Sequence, residues 1–231
     1  MRNLVLLPGF MLNQHLWDDM HADLSTLGSL TFGDLGQDIG IEAMADAVLR
    51  QAPPEFVLLG FSMGGFVAQA VALKAPERVR GLALLNTSSR PQTAQESAAT
   101  KAQFDIAQRT PFKGLTSRAL ASSLHPDLAT ERSLLDRLQA MALANGKEVF
   151  LRQLQTLRDS HAEQLGLLRC PTLIVASDHD RLRSVEESAE MARQIDGARF
   201  EIVADCGHMT PIEKPAELFE IIRDWVQASG L

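Results

Sequence analysis

The sequence predicts an α/β fold, a parallel sheet of about six strands flanked by helices, with an all-helical insertion after the fourth strand. Three observations lead there. Short apolar runs alternate with segments of helical periodicity at both ends of the chain, the pattern of parallel strands joined by crossover helices. The runs are apolar without alternation, as strands buried on both faces are. Between about Thr87 and Leu168 the rhythm stops, no strand-like run occurs, and Ala, Gln, Leu, Arg and Ser dominate.

Taken in order, Leu4-Val5-Leu6-Leu7 predicts a buried strand closed by Pro8-Gly9. A helix is predicted over 15–24, because Leu16, Met20, Leu24 and Leu27 recur at helical spacing. Residues 29–32 form the second strand, ended by Gly33-Asp34. Residues 41–50 are helical, with Ile41, Met44, Ala45 and Val48 on one face and Pro53-Pro54 beyond. The third strand is 56–59 and its helix 63–74, stopped near Ala75-Pro76. The fourth strand is 81–86. Helical stretches over 95–106, 114–123, 131–143 and 149–158 fill the insertion, broken at Pro91, Pro111, Pro126 and Asn145-Gly146. A fifth strand over 172–176, a helix over 185–195, a sixth strand over 199–203 and a closing helix over 215–227 complete the chain. The expected organisation is a core of residues 1–86 and 169–231 with a helical cap of residues 87–168.

The 231 residues are 45% hydrophobic, enough for a full core. A net charge of −7 without a basic stripe argues against nucleic acid as the partner. Cys170 and Cys206 lack metal-ligand spacing, and free thiols are favoured over a disulfide. The apolar start is too short for a signal-peptide core, and no run approaches the ~20 apolar residues of a membrane span. The expectation is a soluble cytoplasmic protein acting on a small molecule, without membrane or nucleic-acid partners. Composition carries no signal of oligomeric state.

The chemistry centres on Gly60-Phe61-Ser62-Met63-Gly64, between an apolar strand and a small-residue helix. This is the layout of a nucleophile elbow, in which a sharp turn presents the serine hydroxyl at a helix N-terminus. Gly60 and Gly64 allow the strand and helix to approach where a Cβ would clash. The bland alternative is a Gly-rich turn with an idle serine. A serine nucleophile needs a base and an acid to orient it. Of six histidines, His208 alone follows the last strand, at the sheet edge where such loops converge. The other five sit in helix-like or exposed contexts. Asp178 and Asp180, after strand five, are both candidates for the acid. Asp180 is preferred because a turn cap is the commoner duty of an aspartate placed like Asp178. The chain order Ser62, Asp180, His208 is the one expected on such a sheet.

These residues give the chain a resemblance to α/β-hydrolases of the cofactor-independent, small-cap kind, including 3-oxoadipate enol-lactonases and related bacterial carboxylesterases. The resemblance runs over nearly the whole length. It is carried by Leu7-Pro8-Gly9-Phe10, Gly60 to Gly65, Pro171 to Val175 with Asp180, and Gly207-His208 with Glu213-Lys214-Pro215. It extends more loosely to Phe150-Leu151-Arg152-Gln153 and Arg158-Asp159-Ser160. It implies the α/β-hydrolase fold, and it favours Asp180 independently by placing Ser177 at the family's usual Gly. It also implies that Phe10 and Met63 supply the oxyanion-hole N–H groups. No metal or organic cofactor is implied. Two departures stand out. Pro8 replaces the family's histidine, which braces the loop, and the two leading antiparallel strands are missing, so all strands should be parallel.

The pocket is expected to be apolar, with Met11, Phe66 and Met209 lining it, although each could equally be an ordinary core residue. Arg109, Lys113 and Arg118 could hold a substrate carboxylate, but the favoured reading leaves them solvated. The expected function is a serine hydrolase cleaving a small carboxylic ester, thioester or lactone through an acyl-enzyme on Ser62. The alternatives are a carbon–carbon hydrolase or proton-abstraction lyase resembling a menaquinone-pathway lyase, or a small-ligand binding protein that retains the triad. Arg109, Arg118 or Arg152 directed at Ser62 would favour the lyase.

Overall fold

A computed structural model of the chain describes residues 2–158 and 161–231. Its strands are β1 (Asn3–Leu7), β2 (Ser29–Phe32), β3 (Phe56–Phe61), β4 (Val79–Leu85), β5 (Thr172–Ser177) and β6 (Arg199–Val203). They form one sheet in the order β2-β1-β3-β4-β5-β6, and every neighbouring pair is parallel. β3 and β5 are buried at every position, whereas the edge strands β2 and β6 are only partly covered. That difference explains why the central strands read as unbroken apolar runs.

Alternate residues of the strands feed two cores. Leu4, Leu6, Leu59, Phe61 and Leu85 pack with Leu16, Trp17, Leu24, Leu218, Ile222 and Trp225 on one face. These partners come from a 3₁₀ segment (Gln14–Met20), α1 (His21–Leu27) and the closing helix (Pro215–Ala228). On the other face Val5, Leu7, Leu58, Leu82 and Ile174 meet Ile41, Met44, Phe66, Val71 and Met191. Those come from α2 (Ile41–Gln51), α3 (Met63–Lys74) and α7 (Val185–Gln194). Burying each such leucine or isoleucine contributes about 1.5–3 kcal/mol of transfer free energy.

Between β4 and β5 the described residues contain helices only: α4 (Ala94–Arg109), α5 (Ser117–Ser122), α6 (Arg132–Gln155) and short 3₁₀ turns. α5 starts later than its periodicity suggested because Thr116 caps it, accepting the Ala119 N–H. The two helices predicted over 131–143 and 149–158 are the two limbs of α6, bent at the expected Asn145-Gly146 break. Gly146 alone breaks it, at φ +75° and ψ −177°, a backbone conformation that glycine adopts without a Cβ penalty. The helix predicted over 15–24 begins instead as the 3₁₀ segment, entered through the Asn13 side chain, which accepts the His15 N–H at 3.1 Å. Asp159 and Ser160, part of the looser resemblance, lie outside the described residues. Among the described residues no helix is long and apolar enough to cross a membrane.

In strand order, β1 leads outward to β2 while β3 leads the other way to β4. The loops after β1 and β3 therefore emerge side by side at the carboxyl edge, where a crevice opens.

Candidate active site

Ser62 leaves β3 with φ +53° and ψ −115°, a conformation that is strained for a residue with a Cβ. Its N–H donates to the Leu85 carbonyl at 2.9 Å, its own carbonyl accepts the Gly65 N–H at 2.9 Å, and the Thr87 hydroxyl donates to that carbonyl at 2.7 Å. Close packing surrounds the turn. A Cβ on Gly60 would stand 2.5 Å from the Gly64 carbonyl oxygen, and one on Gly64 would stand 2.5 Å from that of Pro8.

Ser62 Oγ lies 2.9 Å from His208 Nε2, and His208 Nδ1 lies 2.7 Å from Asp180 Oδ2. The His208 ring is 3% exposed and the Asp180 side chain 0%, so this chain of contacts is shielded from water. The Phe61 ring lies 5.1 Å from the imidazole, centroid to centroid. Asp180 Oδ2 also accepts from Asn86 Nδ2 at 3.1 Å, and Oδ1 accepts the Leu182 and Arg183 N–H groups at 2.8 and 2.9 Å. Those donors fix the carboxylate and direct it at His208 Nδ1, which holds the proton there and leaves Nε2 free to face the serine.

Sequence reasoning missed the contacts that hold this arrangement. Asn86, at φ +47° just after β4, donates to Ser177 Oγ at 2.9 Å and accepts from the buried Thr210 hydroxyl at 2.6 Å. Glu213 accepts the backbone N–H groups of His125, Gly207 and Met209 at 2.7, 3.2 and 2.9 Å, clamping the loop that carries His208. Asp178, the other candidate acid, accepts from the Asp205 and Cys206 N–H groups and from His179, bracing the β5 and β6 loops against each other. Burial opposes its ionisation, but those donors together draw its pKa below the ordinary aspartate value.

The loop after β1 is held without the family's histidine. Gln153, 5% exposed on α6, accepts the Met11 N–H at 2.8 Å and donates to the Leu35 carbonyl at 3.2 Å. Asn145 donates to the Leu12 carbonyl at 3.1 Å. Met11 sits at φ +55°, and its side chain packs fully buried among Ala142, Phe150 and Leu154. As the first residue of α3, Met63 has an N–H without a partner inside the helix.

Two cavities meet at Ser62, and both are lined by Phe10 and Gln103 as well. One, of about 260 Å³, is walled by Phe61, Leu115, Leu120, Leu138, Leu182, His208 and Met209. The other, of about 250 Å³, carries the polar side chains Gln92, Thr100, Gln153, Thr156, Arg158 and Arg183 beside Met63 and Leu154. The wholly apolar pocket expected from sequence is therefore corrected to one apolar and one polar arm. Met209 faces the apolar arm. Met11 lines neither arm, because its backbone turn points the side chain under α6. Phe66 lines neither, because its buried ring lies beneath the Arg158 and Arg183 guanidinium groups. Arg109, Lys113 and Arg118 are exposed, and Arg152 donates to the Gly36 carbonyl, so none of these faces Ser62. His161, expected in an exposed or helical setting, is instead 7% exposed, with Glu42 at 3.5 Å.

Among the described residues, His125, His179 and Asp205 bring ligand-type atoms within 4.8 Å of one another. Both rings already have protein partners: His179 Nδ1 meets Asp178, and His125 Nδ1 accepts the Asp127 N–H. The two cysteines are free. Burial pushes the Cys206 thiol up to about 11. At pH 8 that leaves about 100-fold less thiolate than an ordinary cysteine has. Iodoacetamide is accordingly expected to spare Cys206 in the native protein and modify it readily in denaturant, as read by mass spectrometry of the peptides.

Comparison with known proteins agrees with this fold. Over 94 residues the chain is 44% identical to the pimeloyl-[acyl-carrier protein] methyl ester esterase of Klebsiella pneumoniae strain MGH 78578, a match spanning 37% of each chain. The chain thus spans little more than a third of the length of such curated relatives. A thermophilic esterase from Thermogutta terrifontis, solved with malate bound, superposes with a TM-score of 0.88 at 25% identity, covering 99% of this chain and 90% of that one. The enol-lactonase of Burkholderia xenovorans LB400 has the same fold at 18% identity, with a TM-score of 0.84 over 98% and 91% of the two chains. The family model for the alpha/beta hydrolase fold matches residues 7–215, which take in the serine turn, the acid loop and the histidine loop. With that match over most of its length, the chain belongs to the alpha/beta hydrolase fold family.

Proposed function

We propose that the protein is a serine hydrolase cleaving small carboxylic esters, thioesters or lactones, with Ser62 as nucleophile, His208 as general base and acid, and Asp180 as the acid that orients it. The observation that carries this reading is the shielded chain of contacts from Ser62 Oγ through His208 to Asp180, at 2.9 and 2.7 Å. Ser62 Oγ attacks the carbonyl carbon while its proton passes to His208 Nε2. The N–H groups of Phe10 and Met63 receive the oxyanion. Collapse expels the alcohol or thiol, which takes the proton from His208. Water, deprotonated in turn by His208, then cleaves the acyl-enzyme and frees Ser62. The helical segment between β4 and β5 acts as a cap that shapes the two arms. The partial likeness to an ester-cleaving relative supports the reading.

The test is hydrolysis of a p-nitrophenyl ester series together with labelling by a fluorophosphonate. Turnover and labelling of Ser62 are expected together. Labelling without turnover on any ester would move the reading to a carbon–carbon hydrolase or lyase, and neither would refute it. The two aspartates should separate. Asp180→Asn is expected to lower kcat by on the order of 10⁴, since the amide holds the wrong imidazole tautomer. Asp178→Asn should cost about 10-fold or less in kcat, because its partners are the loops and not His208. Steady-state kinetics of both variants on one ester decides this.

A further inference from the structure

We propose that the polar arm of the cleft is a carboxylate-binding subsite built by Arg158 and Arg183. The preferred substrates then carry an anionic group on one side of the scissile carbonyl and an apolar group on the other. The inference rests on the serine-hydrolase reading and names its substrate class.

Both guanidinium groups lie over the same fully buried ring, that of Phe66, at 5.6 and 5.8 Å from its centroid. Their side chains are only 15% and 18% exposed. Stacking on a fixed ring restricts these long side chains before any ligand arrives, so less rotamer entropy is lost on binding. Two like charges near one ring repel, and a carboxylate in the arm that both line offsets that repulsion. Among the described residues, the acidic neighbours do not use up the donors. Arg158 gives one contact to Glu96 at 2.8 Å, while Glu187 stands 4.0 Å from Arg183, beyond hydrogen-bond reach, and accepts the Ser184 N–H instead. Each guanidinium carries five N–H donors in a fork that fits a carboxylate.

The placement ties the subsite to the reaction centre. The Arg183 backbone N–H is bound to Asp180 Oδ1, so the root of this side chain is fixed to the proposed triad acid. Arg158 approaches from beyond the end of α6, so the pair closes the arm from both the sheet and the helical segment. The other arm, with Leu115, Leu120, Leu138 and Met209, offers no charge. In a chain of net charge −7, an anion is drawn to this cleft only by such a local pair.

The experiment compares the mono-p-nitrophenyl ester of suberic acid with its terminal-carboxamide analogue, at one pH, as a ratio of kcat/KM. The wild type is expected to favour the acid by about 10-fold or more. Arg158→Gln and Arg183→Gln should each lower that ratio by about 10- to 100-fold, with Arg183→Lys in between because it keeps the charge and loses the fork. Fluorophosphonate labelling rates check that each variant is folded. A ratio near one in the wild type, or one unmoved by any of the variants, overturns the subsite and leaves the hydrolase reading standing. Absence of both turnover and labelling overturns the hydrolase reading instead. The subsite is then judged by binding to the Ser62→Ala protein, where suberate should bind about 10-fold or more tighter than suberamide, and equal affinities would overturn it.

Discussion

Ser62→Ala is expected to lower kcat on a good p-nitrophenyl ester by on the order of 10⁴–10⁶, with His208→Ala close behind and the double variant no worse than either. The non-additivity follows from the geometry: with Oγ gone, His208 Nε2 has no proton to take, and with the imidazole gone Oγ keeps its own. A second substitution separates chemistry from conformation. Ser62 holds φ +53°, where a Cβ costs on the order of 1–3 kcal/mol. Ser62→Gly should therefore be as inactive as Ser62→Ala and melt at a higher temperature. Calorimetry of both variants beside their kinetics reads the two effects separately. More than a tenth of wild-type activity in Ser62→Ala would refute the nucleophile assignment, and a lower melting temperature for Ser62→Gly would refute the strain argument.

Gly64→Ala is expected to be strongly damaging although it lies outside the triad. Its Cβ would stand 2.5 Å from the Pro8 carbonyl oxygen and 2.7 Å from that of Leu7, both backbone atoms at the end of a central strand. Neither can turn aside as a side chain would, so α3 must move off β1. Overpacking of this kind costs about 3 kcal/mol. The same displacement carries Phe10 away from Ser62, so activity should fall by on the order of 100-fold, as a roughly 1 Å misplacement does. Urea unfolding and ester kinetics on one preparation test both. A stable, fully active Gly64→Ala protein would show that α3 and β1 have slack the packing does not reveal.

The sheet was legible because its central strands are buried on both faces and read as unbroken apolar runs. That Ser62 and His208 meet was legible from topology, since each follows a strand whose end lies at the same edge. Asp180 could be separated from Asp178 only weakly by turn chemistry, and more firmly by likeness to a family. The supporting polar residues were illegible for a physical reason. Asn86 and Arg183 look like ordinary polar positions until distant segments converge on them, and Gln153, Arg158 and Glu213, which the resemblance takes in, show no partner in the sequence. Met11 and Phe66 misled in the opposite way. Each adjoins a residue at the cleft, yet adjacency in sequence does not say which way a side chain points, and both turn into the core.

The contact between Gln153 and the Met11 N–H joins residues 142 apart in sequence. It makes the position of the neighbouring Phe10 N–H and the docking of α6 two readings of one equilibrium. By reciprocity, whatever favours α6 in its docked position favours the ordered loop by the same free energy, and under the proposed mechanism an oxyanion bound at that loop would favour the docked helix in return. The brace of this loop comes from the helical insertion, where the resemblance implied a histidine within the loop itself. Substitutions along α6 that never touch a ligand can then change the rate of bond cleavage, and selection for new substrates in that helix acts on turnover as well as on fit.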